Sequence, residues 1–353
     1  MNHKLEFLTN YLTIEENDSY NKIASIDNNF ASQKDHTGTY LSIDKLYKSI
    51  FNRKSVRDYQ RFTKDETIIL FNIIQNMLLN INNFTKNNLP SLRFDVFIND
   101  DNSIFSGIAG NIGKIKNAPI AIGIICKDNL KDNLAKNRNN QAYESKNANL
   151  RFLYAGYLGE LLVLYLCSSG YGTCWVSGLF NRKSNKFNIL KENKEKLICV
   201  IAAGKKANFS PLDIKLIYGM VGKRRKPDRL VFSENLLKNF SDSKFKEALK
   251  AFKLSPSAVN RQPWYLDFYD NKLFLLPITS STKNIINKSD NSGYYLNSKD
   301  KENKIISVPE YIQLDCGIAM LHLEIALKTL YPEKRNEWQW QIGDDAFIPF
   351  IQF

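Results

Sequence analysis

The chain has 353 residues, of which 43% are hydrophobic, and 49 Lys and Arg residues against 36 Asp and Glu residues give a formal net charge of +13. This length is sufficient for two domains of ordinary size, each with its own core. Uninterrupted apolar runs such as 118–126 are too short to span a bilayer, and residues 1–13 lack the apolar region of a secretion signal. These features predict a cytoplasmic globular protein with no membrane partner.

The cysteine, histidine and lysine content narrows the possible chemistry. An odd number of cysteines in apolar stretches, without a C-x-x-C pair, predicts reduced and buried thiols. With three histidines in the chain, neither a histidine-based metal site nor a Ser-His-Asp triad is expected, and no metal is predicted. The positive charge is spread along the chain, and no nucleic-acid-binding motif accompanies its one dense cluster at 223–226. No nucleic-acid partner is therefore predicted.

The first half of the chain alternates predicted helices and strands. Residues 1–40 are polar and have no sustained period, which predicts an extension that is loosely ordered or draped over the domain. The predicted elements that follow are a helix over 42–51 with Ser42 as N-cap, a helix over 64–81, strands over 93–99 and 120–125, a buried helix over 147–167, a turn from Gly170 to Trp175, and a strand over 197–203. Gly156 and Gly159 in the long helix would allow another helix to approach closely.

The second half repeats this order with shorter parts. Its predicted elements are a helix over 243–254, a Pro-Ser-Ala loop, strands over 264–269 and 272–276, a polar insertion over 279–303, a helix over 312–329, and strand-like segments over 337–342 and 347–353. The predicted fold class is α+β, with a two-layer sandwich in each half. The corresponding division is an N-terminal extension (1–40), a first domain (41–206), a linker (207–223) and a second domain (224–353).

Two sequence echoes at the same spacing indicate a duplication. R-K-x-x-R at 53–57 recurs at 225–229, and F-D-V-F at 94–97 is answered by L-D-F-Y at 266–269. The halves differ elsewhere: the second contains S-P-S-A-V-N-R-Q-P-W at 255–264, whereas the first contains G-Y-G-T-C-W. Two degenerate halves that complement each other predict one composite site.

R-K-S-V-R after a short helix, P-S-A-x-N-x-Q-P-W before a strand and G-x-G-T-C-W after an apolar helix together resemble the nitroreductase family of FMN enzymes. Over residues 42–353 the chain is similar to the tandem variant of that family, in which two nitroreductase-like domains are fused. The resemblance implies a nitroreductase-like fold with two duplicated α+β domains forming a pseudo-dimer in one chain, and therefore a monomer. It also implies FMN as cofactor, with NADH or NADPH as electron donor.

The activity implied by the resemblance is that of an FMN-dependent NAD(P)H oxidoreductase. Its small-molecule acceptor would be a nitroaromatic, a quinone or a similar electron-poor compound, reduced by ping-pong hydride transfer through flavin N5. No catalytic side chain is predicted, because the flavin carries the redox chemistry. Two alternatives remain open at this stage: a flavin-binding protein with little or no turnover, and a structural relic without cofactor.

The chemistry of FMN together with the resemblance selects the site residues. Arg53, Ser55 and Arg57 place alternating donors on one side of an extended segment, which fits phosphate and ribityl contacts, while a solvated basic loop is the alternative. The family often places a second phosphate cation after a buried strand, where Lys205 and Lys206 follow, and a surface lysine is the alternative for each. The predicted cofactor-binding set is Arg53, Ser55, Arg57, Gly172, Val176, Ser177, Lys205, Lys206, Pro256, Ser257 and Asn260.

The roles of the turn and loop residues also come from the resemblance. The backbone around Val176 and Ser177 is expected to face the flavin ring and to donate an amide proton to N5. Ser257 and Asn260 are short polar groups able to reach the ring edge or the ribityl oxygens, and Pro256 stiffens their loop.

Three further residues have competing interpretations. Cys174 is interpreted as a buried filler rather than a nucleophile, because no base is apparent near it in the sequence. Trp264 is interpreted as part of the core rather than as a group that stacks on substrate. Gln262 is either structural or ligand-binding, and the sequence does not decide between the two.

Overall fold

A computed structural model of the chain describes residues 3–4, 42–89, 91–106, 115–127, 138–178, 180–208, 232–279, 308–342 and 349–352, with the side chains of 3–4 and 138–149 excepted. Several sequence-based assignments lie outside these residues: the R-K-x-x-R echo at 225–229 and most of the N-terminal extension, the linker and the polar insertion. Seven helices and nine strands occur in the described part of the chain. They are β1 (His3–Lys4), α1 (Ile43–Asn52), α2 (Lys64–Asn88), β2 (Leu92–Ile98), β3 (Ile120–Lys127), α3 (Arg138–Ser168), β4 (Gly172–Val176), α4 (Asn188–Glu192), β5 (Glu195–Gly204), α5 (Glu234–Asn239), α6 (Ser243–Lys253), β6 (Trp264–Tyr269), β7 (Lys272–Pro277), α7 (Glu310–Leu330), β8 (Gln341–Ile342) and β9 (Pro349–Gln352).

The chain folds into two compact units, which we describe one at a time. The four-stranded unit comprises Glu6–Cys126 and Leu162–Asn208, and the five-stranded unit comprises Met1–Leu5, Lys127–Leu161 and Phe209–Phe353. Both units combine helices with a β-sheet, so the predicted α+β class is confirmed. The domain boundaries proposed from sequence group the chain differently and stay a prediction.

The four-stranded unit has the strand order β2-β3-β5-β4. Strands β2 and β3 pair antiparallel, as do β4 and β5, where Gly172 lies opposite Gly204 and Val176 opposite Val200. The central strands β3 and β5 are buried along most of their length, as expected of strands covered on both faces. All three strands that the sequence predicted here are observed within a few residues of their expected bounds.

Helix α1 begins as predicted, because the Ser42 hydroxyl accepts a hydrogen bond from the Lys45 amide at 3.3 Å. Helix α2 continues to Asn88, past its predicted end at Ile81. The reason is burial of Phe84 on the same face, together with Asn82, whose side chain donates to the Phe94 carbonyl and accepts from the Phe94 amide, both at 2.8 Å. The predicted boundary was wrong because these tertiary contacts extend the helix.

The five-stranded unit has the strand order β1-β8-β9-β7-β6. Strands β6 and β7 form a hairpin whose turn residues, Asp270 and Asn271, have φ angles of 51° and 53°, as a two-residue type I′ turn requires. Residues His3 and Lys4 pair with Ile342 and Gln341 at one edge of this sheet. These two residues are thus draped on the domain, which is one of the two alternatives expected for the extension, and their partners lie at the far end of the sequence.

Helices α3 and α7 cross at two glycines within the five-stranded unit. A Cβ atom on Gly156 would lie 2.9 Å from the carbonyl carbon of Leu314, and one on Gly317 would lie 2.9 Å from the amide nitrogen of Tyr157. Each helix thus offers a glycine at the point where the backbone of the other approaches. The predicted close approach at Gly156 is confirmed, whereas Gly317 was missed by the sequence analysis.

Polar and charged side chains line the same crossing although they are buried. Glu160 Oε1 lies 2.9 Å from His322 Nε2, and both side chains are fully buried. The Tyr157 hydroxyl donates to Glu324 Oε2 at 2.9 Å, and Lys328 Nζ lies at an ion-pair distance of 3.5 Å from Glu324 Oε1. Burial raises the pKa of Glu324 to about 7, against the opposing effects of Lys328 and Tyr157.

The segment Leu150–Ser168 of α3 is long and apolar enough to cross a membrane by length and composition, and 94% of it is buried inside the protein. The core helix of a soluble protein has the same properties. The sequence analysis placed a buried helix here, and burial of Leu153, Leu158 and Leu161 confirms it. The helix begins at Arg138, earlier than the predicted start at Asn147.

Five free cysteines occur among the described residues, none of them in a disulfide. Cys174, Cys199 and Cys316 are buried as predicted, whereas Cys126 and Cys167 are only partly buried. These two lie at the ends of apolar elements, next to the exposed residues Lys127 and Ser168. Across the described ranges, no group of three His, Cys, Asp or Glu side chains is arranged to hold a metal ion.

Candidate functional site

The segment that follows α1, Arg53–Arg57, is held beside strand β4. The Val56 amide donates to the Thr173 carbonyl at 2.9 Å, and Ser55 forms a parallel bridge with the same residue. Gly172 permits this approach, because a Cβ atom there would lie 2.6 Å from Val56 Cγ2. The glycine of the sequence motif therefore serves to seat the basic segment against the sheet.

The sequence analysis assigned residues 170–175 to a turn, and this assignment is wrong beyond Tyr171. Gly170 does end the helical segment, with φ of 82°, but Gly172–Val176 forms strand β4. The Thr, Cys, Trp and Val side chains that follow Gly172 favour strands. The two glycines thus mark the entry to a strand.

Tyr59 connects the basic segment to the end of β5. It forms an antiparallel bridge with Lys206, and the Gln60 amide donates to the Lys205 carbonyl at 2.9 Å. A Cβ atom on Gly204 would lie 3.0 Å from Tyr59 Cδ1, so this glycine leaves room for the ring. The sequence analysis missed Tyr59, although its position two residues after the motif could have drawn attention to it.

The Tyr59 hydroxyl is buried and lies 2.7 Å from the Val56 carbonyl oxygen and 3.2 Å from that of Ala202. Burial holds the pKa of Tyr59 well above its ordinary value, and the charge of Arg57 opposes that rise. The phenol is therefore neutral and acts as a donor that fixes the basic segment. As a result, Arg53–Arg57 and Lys205–Lys206 meet at one end of the β4–β5 pair.

Both arginines of the basic segment act electrostatically on Cys174 of β4. Burial raises the pKa of the Cys174 thiol, and Arg57 and Arg53 oppose the rise. Both guanidinium groups therefore act on the same residue of β4, and both arginines remain partly exposed to solvent. The thiol is 4% exposed and stays protonated, which fits a buried filler rather than a nucleophile.

The two lysines are exposed, and Lys205 has a carboxylate partner. Its Nζ lies 3.5 Å from Glu66 Oε1 and 5.7 Å from the centroid of the Phe62 ring. The Glu66 carboxylate also accepts from the Thr63 amide at 2.9 Å, as part of the capping box that begins α2. Part of the Lys205 charge is thus balanced within the protein, and Arg53 and Arg57 are the cations that act on β4.

Strand β4 ends in an exposed turn at Ser177 and Gly178. A Cβ atom on Gly178 would meet no atom within 4 Å, so the space beside this backbone is open. Arg182 anchors the turn by donating from Nη2 to the Ser177 carbonyl at 3.1 Å and from Nη1 to the Leu197 carbonyl at 2.7 Å. Val176 is buried at the end of the strand, and Arg182 is a supporting residue that sequence reasoning did not find.

The Pro256–Asn260 loop lies in the five-stranded unit, between α6 and β6. It contains a single 3-10 turn, Ala258–Asn260. Val259, Asn260 and Gln262 have φ angles of 46°, 55° and 50°, and Val259 is 80% exposed. A β-branched residue in the left-handed region is unfavourable by about 1–3 kcal/mol, and such residues cluster at functional sites.

Ser257 and Gln262 close this loop. The Gln262 amide donates to Ser257 Oγ at 2.8 Å, and Gln262 Nε2 donates to the Lys253 carbonyl at 3.2 Å. Gln262 therefore has a structural role in closing this loop. The Ser257 oxygen is engaged as an acceptor and its hydroxyl hydrogen can still donate. Trp264, two residues after Gln262, is fully buried, which confirms its interpretation as core.

Asp315 of α7 supports the loop from within. The Ala258 amide lies 3.0 Å from Asp315 Oδ1 and 3.2 Å from Oδ2. Asp315 is 2% exposed, and burial raises its pKa to about 7, opposed by the Ala258 hydrogen bond and by the charge of Arg261. The signal available in the sequence was a lone carboxylate on an otherwise apolar helix face, which the sequence analysis passed over.

The predicted site residues thus form two groups. Arg53, Ser55, Arg57, Gly172, Val176, Ser177, Lys205 and Lys206 belong to the four-stranded unit, where their backbones are joined by the contacts given above. Pro256, Ser257 and Asn260 belong to one short loop of the five-stranded unit. Each group is brought together within its own unit.

Comparison with known families identifies the class of protein. Residues 134–327 match the family model described as "Putative TM nitroreductase". The match covers more than half of the chain, and the chain therefore belongs to this nitroreductase family. Comparison with curated proteins gave no match.

Solved structures of nitroreductases resemble the chain at low sequence identity. A "putative nitroreductase" of Thermotoga maritima is 17% identical, with 91% of this chain and 99% of that chain covered and a TM-score of 0.46. A nitroreductase family protein of Clostridium novyi NT is 20% identical over 46% of this chain and 86% of its own, with a TM-score of 0.30. An "FMN-dependent Nitroreductase" of Clostridium difficile R20291 is 19% identical over 50% of this chain and 96% of its own, also with a TM-score of 0.30.

Proposed function

We propose that this protein is an FMN-dependent NAD(P)H oxidoreductase of the nitroreductase family that reduces nitroaromatic, quinone or similar electron-poor acceptors. Family membership supports an oxidoreductase. The observation that supports the cofactor is the meeting of Arg53–Arg57, Gly172 and Lys205–Lys206 at the end of the β4–β5 pair where Gly172 lies opposite Gly204. Two of the three motifs that resemble the family, R-K-S-V-R and the start of G-x-G-T-C-W, lie side by side there, and Ser177 follows the other end of β4.

The residues present fit FMN in their donor chemistry. A phosphate dianion is bound most strongly by charge-assisted hydrogen bonds, and a guanidinium group can engage two of its oxygens. Arg53 and Arg57 supply guanidinium groups, and the exposed Ser55 hydroxyl lies between them in the chain. The open backbone at Ser177 and Gly178 offers a flat ring both space and amide donors.

When bound, FMN supplies the hydride and electron transfer chemistry of the reaction. The chain's own residues have binding and orienting roles. Arg53, Ser55 and Arg57 bind the phosphate and the ribityl chain, with Lys205 or Lys206 adding charge. The Ser177 turn, anchored by Arg182, orients the ring. Ser257 and Asn260 donate to the ring edge or the ribityl oxygens.

The wider assignments from the sequence stay part of this proposal. They are a duplicated pseudo-dimer in one chain, a cytoplasmic location, a small-molecule acceptor, and no nucleic-acid or membrane partner. The order helix, strand, strand, helix occurs twice along the chain, as α2-β2-β3-α3 and as α6-β6-β7-α7, which supports a duplication. Asp95 in β2 and Asp267 in β6 each accept from the amide of the next residue, at 2.9 and 2.8 Å.

The proposal is tested first by the absorbance of the purified protein. A flavin spectrum is expected, and NADH or NADPH should bleach it under anaerobic conditions. A preparation without flavin that takes up no added FMN would refute the proposal. A flavin spectrum that neither donor bleaches would favour the alternative, a flavin-binding protein with little turnover.

The binding residues are tested by removing one positive charge at two positions of the same segment. Arg57→Ala should weaken FMN binding about tenfold to a hundredfold, because hydrogen bonds to charged groups contribute roughly 1.5–3 kcal/mol each. Lys54→Ala removes the same charge from an exposed neighbour, which alternation along the extended segment assigns to the side opposite Arg53, Ser55 and Arg57. This variant should leave the dissociation constant within about twofold. Equal losses in the two variants would show that general electrostatic attraction, and not a specific contact, accounts for binding.

A further inference from the structure

The loop at Ser257–Gln262 holds an unfavourable backbone conformation in a partly exposed position. Val259 and Asn260 are both left-handed, and Val259 is β-branched. Such a conformation persists only where surrounding contacts impose it. The Ser257 hydroxyl does not cap the 3-10 turn that follows it. The amide of the first residue of that turn, Ala258, is instead paired with Asp315.

Asp315 is unusual for its position. It occupies a buried turn of α7 next to Cys316, whose thiol pKa is held well above its ordinary value by burial and by the Asp315 charge. A buried carboxylate is unfavourable for folding unless its interactions compensate for the loss of hydration. Among the described residues, the group that donates to the Asp315 carboxylate is the Ala258 amide. The charged neighbour of Asp315 is Arg261, whose guanidinium carbon lies 5.0 Å from the centroid of the Tyr311 ring. Its contacts are therefore directed to the loop.

We propose that Asp315 is a positioning residue, whose carboxylate fixes the Ala258 amide and so holds Ser257 and Asn260 in the conformation that binds FMN. This inference rests on the proposed function, and it adds a residue outside every motif that suggested that function. Asp315 itself is buried beneath the loop and acts through the Ala258 backbone.

The loop's order can be measured without any flavin. Arg261 is exposed within the loop, so trypsin cleavage of the Arg261–Gln262 bond, followed by mass spectrometry, reports how often the loop opens. Asp315→Ala should raise the cleavage rate at this bond about tenfold or more, because a hydrogen bond to a charged group is lost. Asp315→Asn retains one acceptor oxygen and should restore a rate close to that of the wild type.

Asp267→Asn is the matched control. Asp267 is also a buried carboxylate whose pKa is raised by burial. Its hydrogen bond, however, comes from the amide of the next residue, Phe268, and not from the 257–262 loop. This substitution should leave cleavage at Arg261 unchanged. A thermal unfolding measurement on each variant separates a positioning role from a role in overall stability. A positioning role predicts a looser loop in Asp315→Ala without a lower unfolding temperature.

FMN titration of the same variants completes the test. Asp315→Ala should weaken FMN binding about tenfold, with recovery in Asp315→Asn and no change in Asp267→Asn. Unchanged cleavage at Arg261 in Asp315→Ala would overturn the inference whatever the cofactor. Faster cleavage with unchanged FMN affinity would overturn the link between the loop and binding. If the wild-type protein binds no FMN, the proposed function itself fails, and that outcome is visible before any variant is made.

Discussion

Replacing Gly156 by alanine should destabilise the protein strongly, although alanine is the better helix former. Gly156 lies where α3 crosses α7, and the backbone of α7 occupies the space that a side chain at this position would need. An added Cβ atom would lie 2.9 Å from the Leu314 carbonyl carbon, closer still to its oxygen, and 3.1 Å from the Ile318 amide nitrogen. Backbone atoms in a helix cannot rotate away, so the two helices must separate.

The magnitude follows from what that separation does. Overpacking of a core usually costs about 1–3 kcal/mol. The helices also share the Glu160–His322 and Tyr157–Glu324 contacts, each 2.9 Å long, and a separation of about 1 Å would lengthen both beyond hydrogen-bonding range. Each buried hydrogen bond to a charged group contributes about 1.5–3 kcal/mol. The helix propensity of alanine offsets about 1 kcal/mol of this loss, so we expect a net loss of roughly 3–8 kcal/mol.

The loss should be measured by denaturant unfolding followed by circular dichroism, with Gly178→Ala as the control. A Cβ atom on Gly178 meets nothing within 4 Å, so that variant should remain within about 0.5 kcal/mol of the wild type. A Gly156→Ala variant within about 1 kcal/mol of the wild type would refute the reasoning. It would mean that the crossing relaxes without breaking its buried polar contacts.

Two further predictions concern titration and stoichiometry. Glu324 has a folded-state pKa of about 7, above its ordinary value of 4.5, so the native state binds a proton more tightly and this stabilisation is lost as pH rises from about 4.5 through 7. The Gln side chain of Glu324→Gln does not titrate. The unfolding free energy of this variant, relative to that of the wild type, should therefore increase by about 3 kcal/mol between pH 4.5 and 8 in denaturant unfolding. The same difference in unfolding free energy at both pH values would contradict this. We also expect one FMN per 40.7 kDa monomer, because the first half has no P-S-A-x-N segment and residues 83–87, at the corresponding place, belong to helix α2. The ratio of flavin released on denaturation to protein should be near one, and light scattering should give the mass of a monomer. A ratio near two, or an obligate dimer, would refute the single composite site.

The sequence predicted those parts of the fold whose signals are local. Ser42 caps α1 where its side chain predicted, and the apolar spacing of the two long helices correctly identified their burial. The basic segment and the lysines after β5 were chosen from motifs, and the structure brings them together. These successes depend on helical periodicity and on short patterns that need no knowledge of distant residues.

The features that the sequence did not reveal depend on partners far along the chain. His3 and Lys4 become a strand only because residues 341 and 342 are available to pair with them. Asp315 is separated from Ala258 by 57 positions, so nothing near it in sequence discloses its hydrogen bond. Gly172 was read as part of a turn because two glycines stand close together, whereas its conformation is set by pairing with Gly204 and by the approach of Val56.

The five-stranded unit draws Lys127–Leu161 from the first half of the sequence, and this has a consequence for dividing the gene. A fragment that stops in the linker after residue 206 would contain Glu160 without His322 and the Gly156 surface without α7. The complementary fragment from residue 224 would expose the other side of the same crossing. Neither fragment would carry a complete core, so we expect neither to fold on its own. Co-expression of the two fragments is therefore a more suitable way to dissect this protein than the expression of isolated domains.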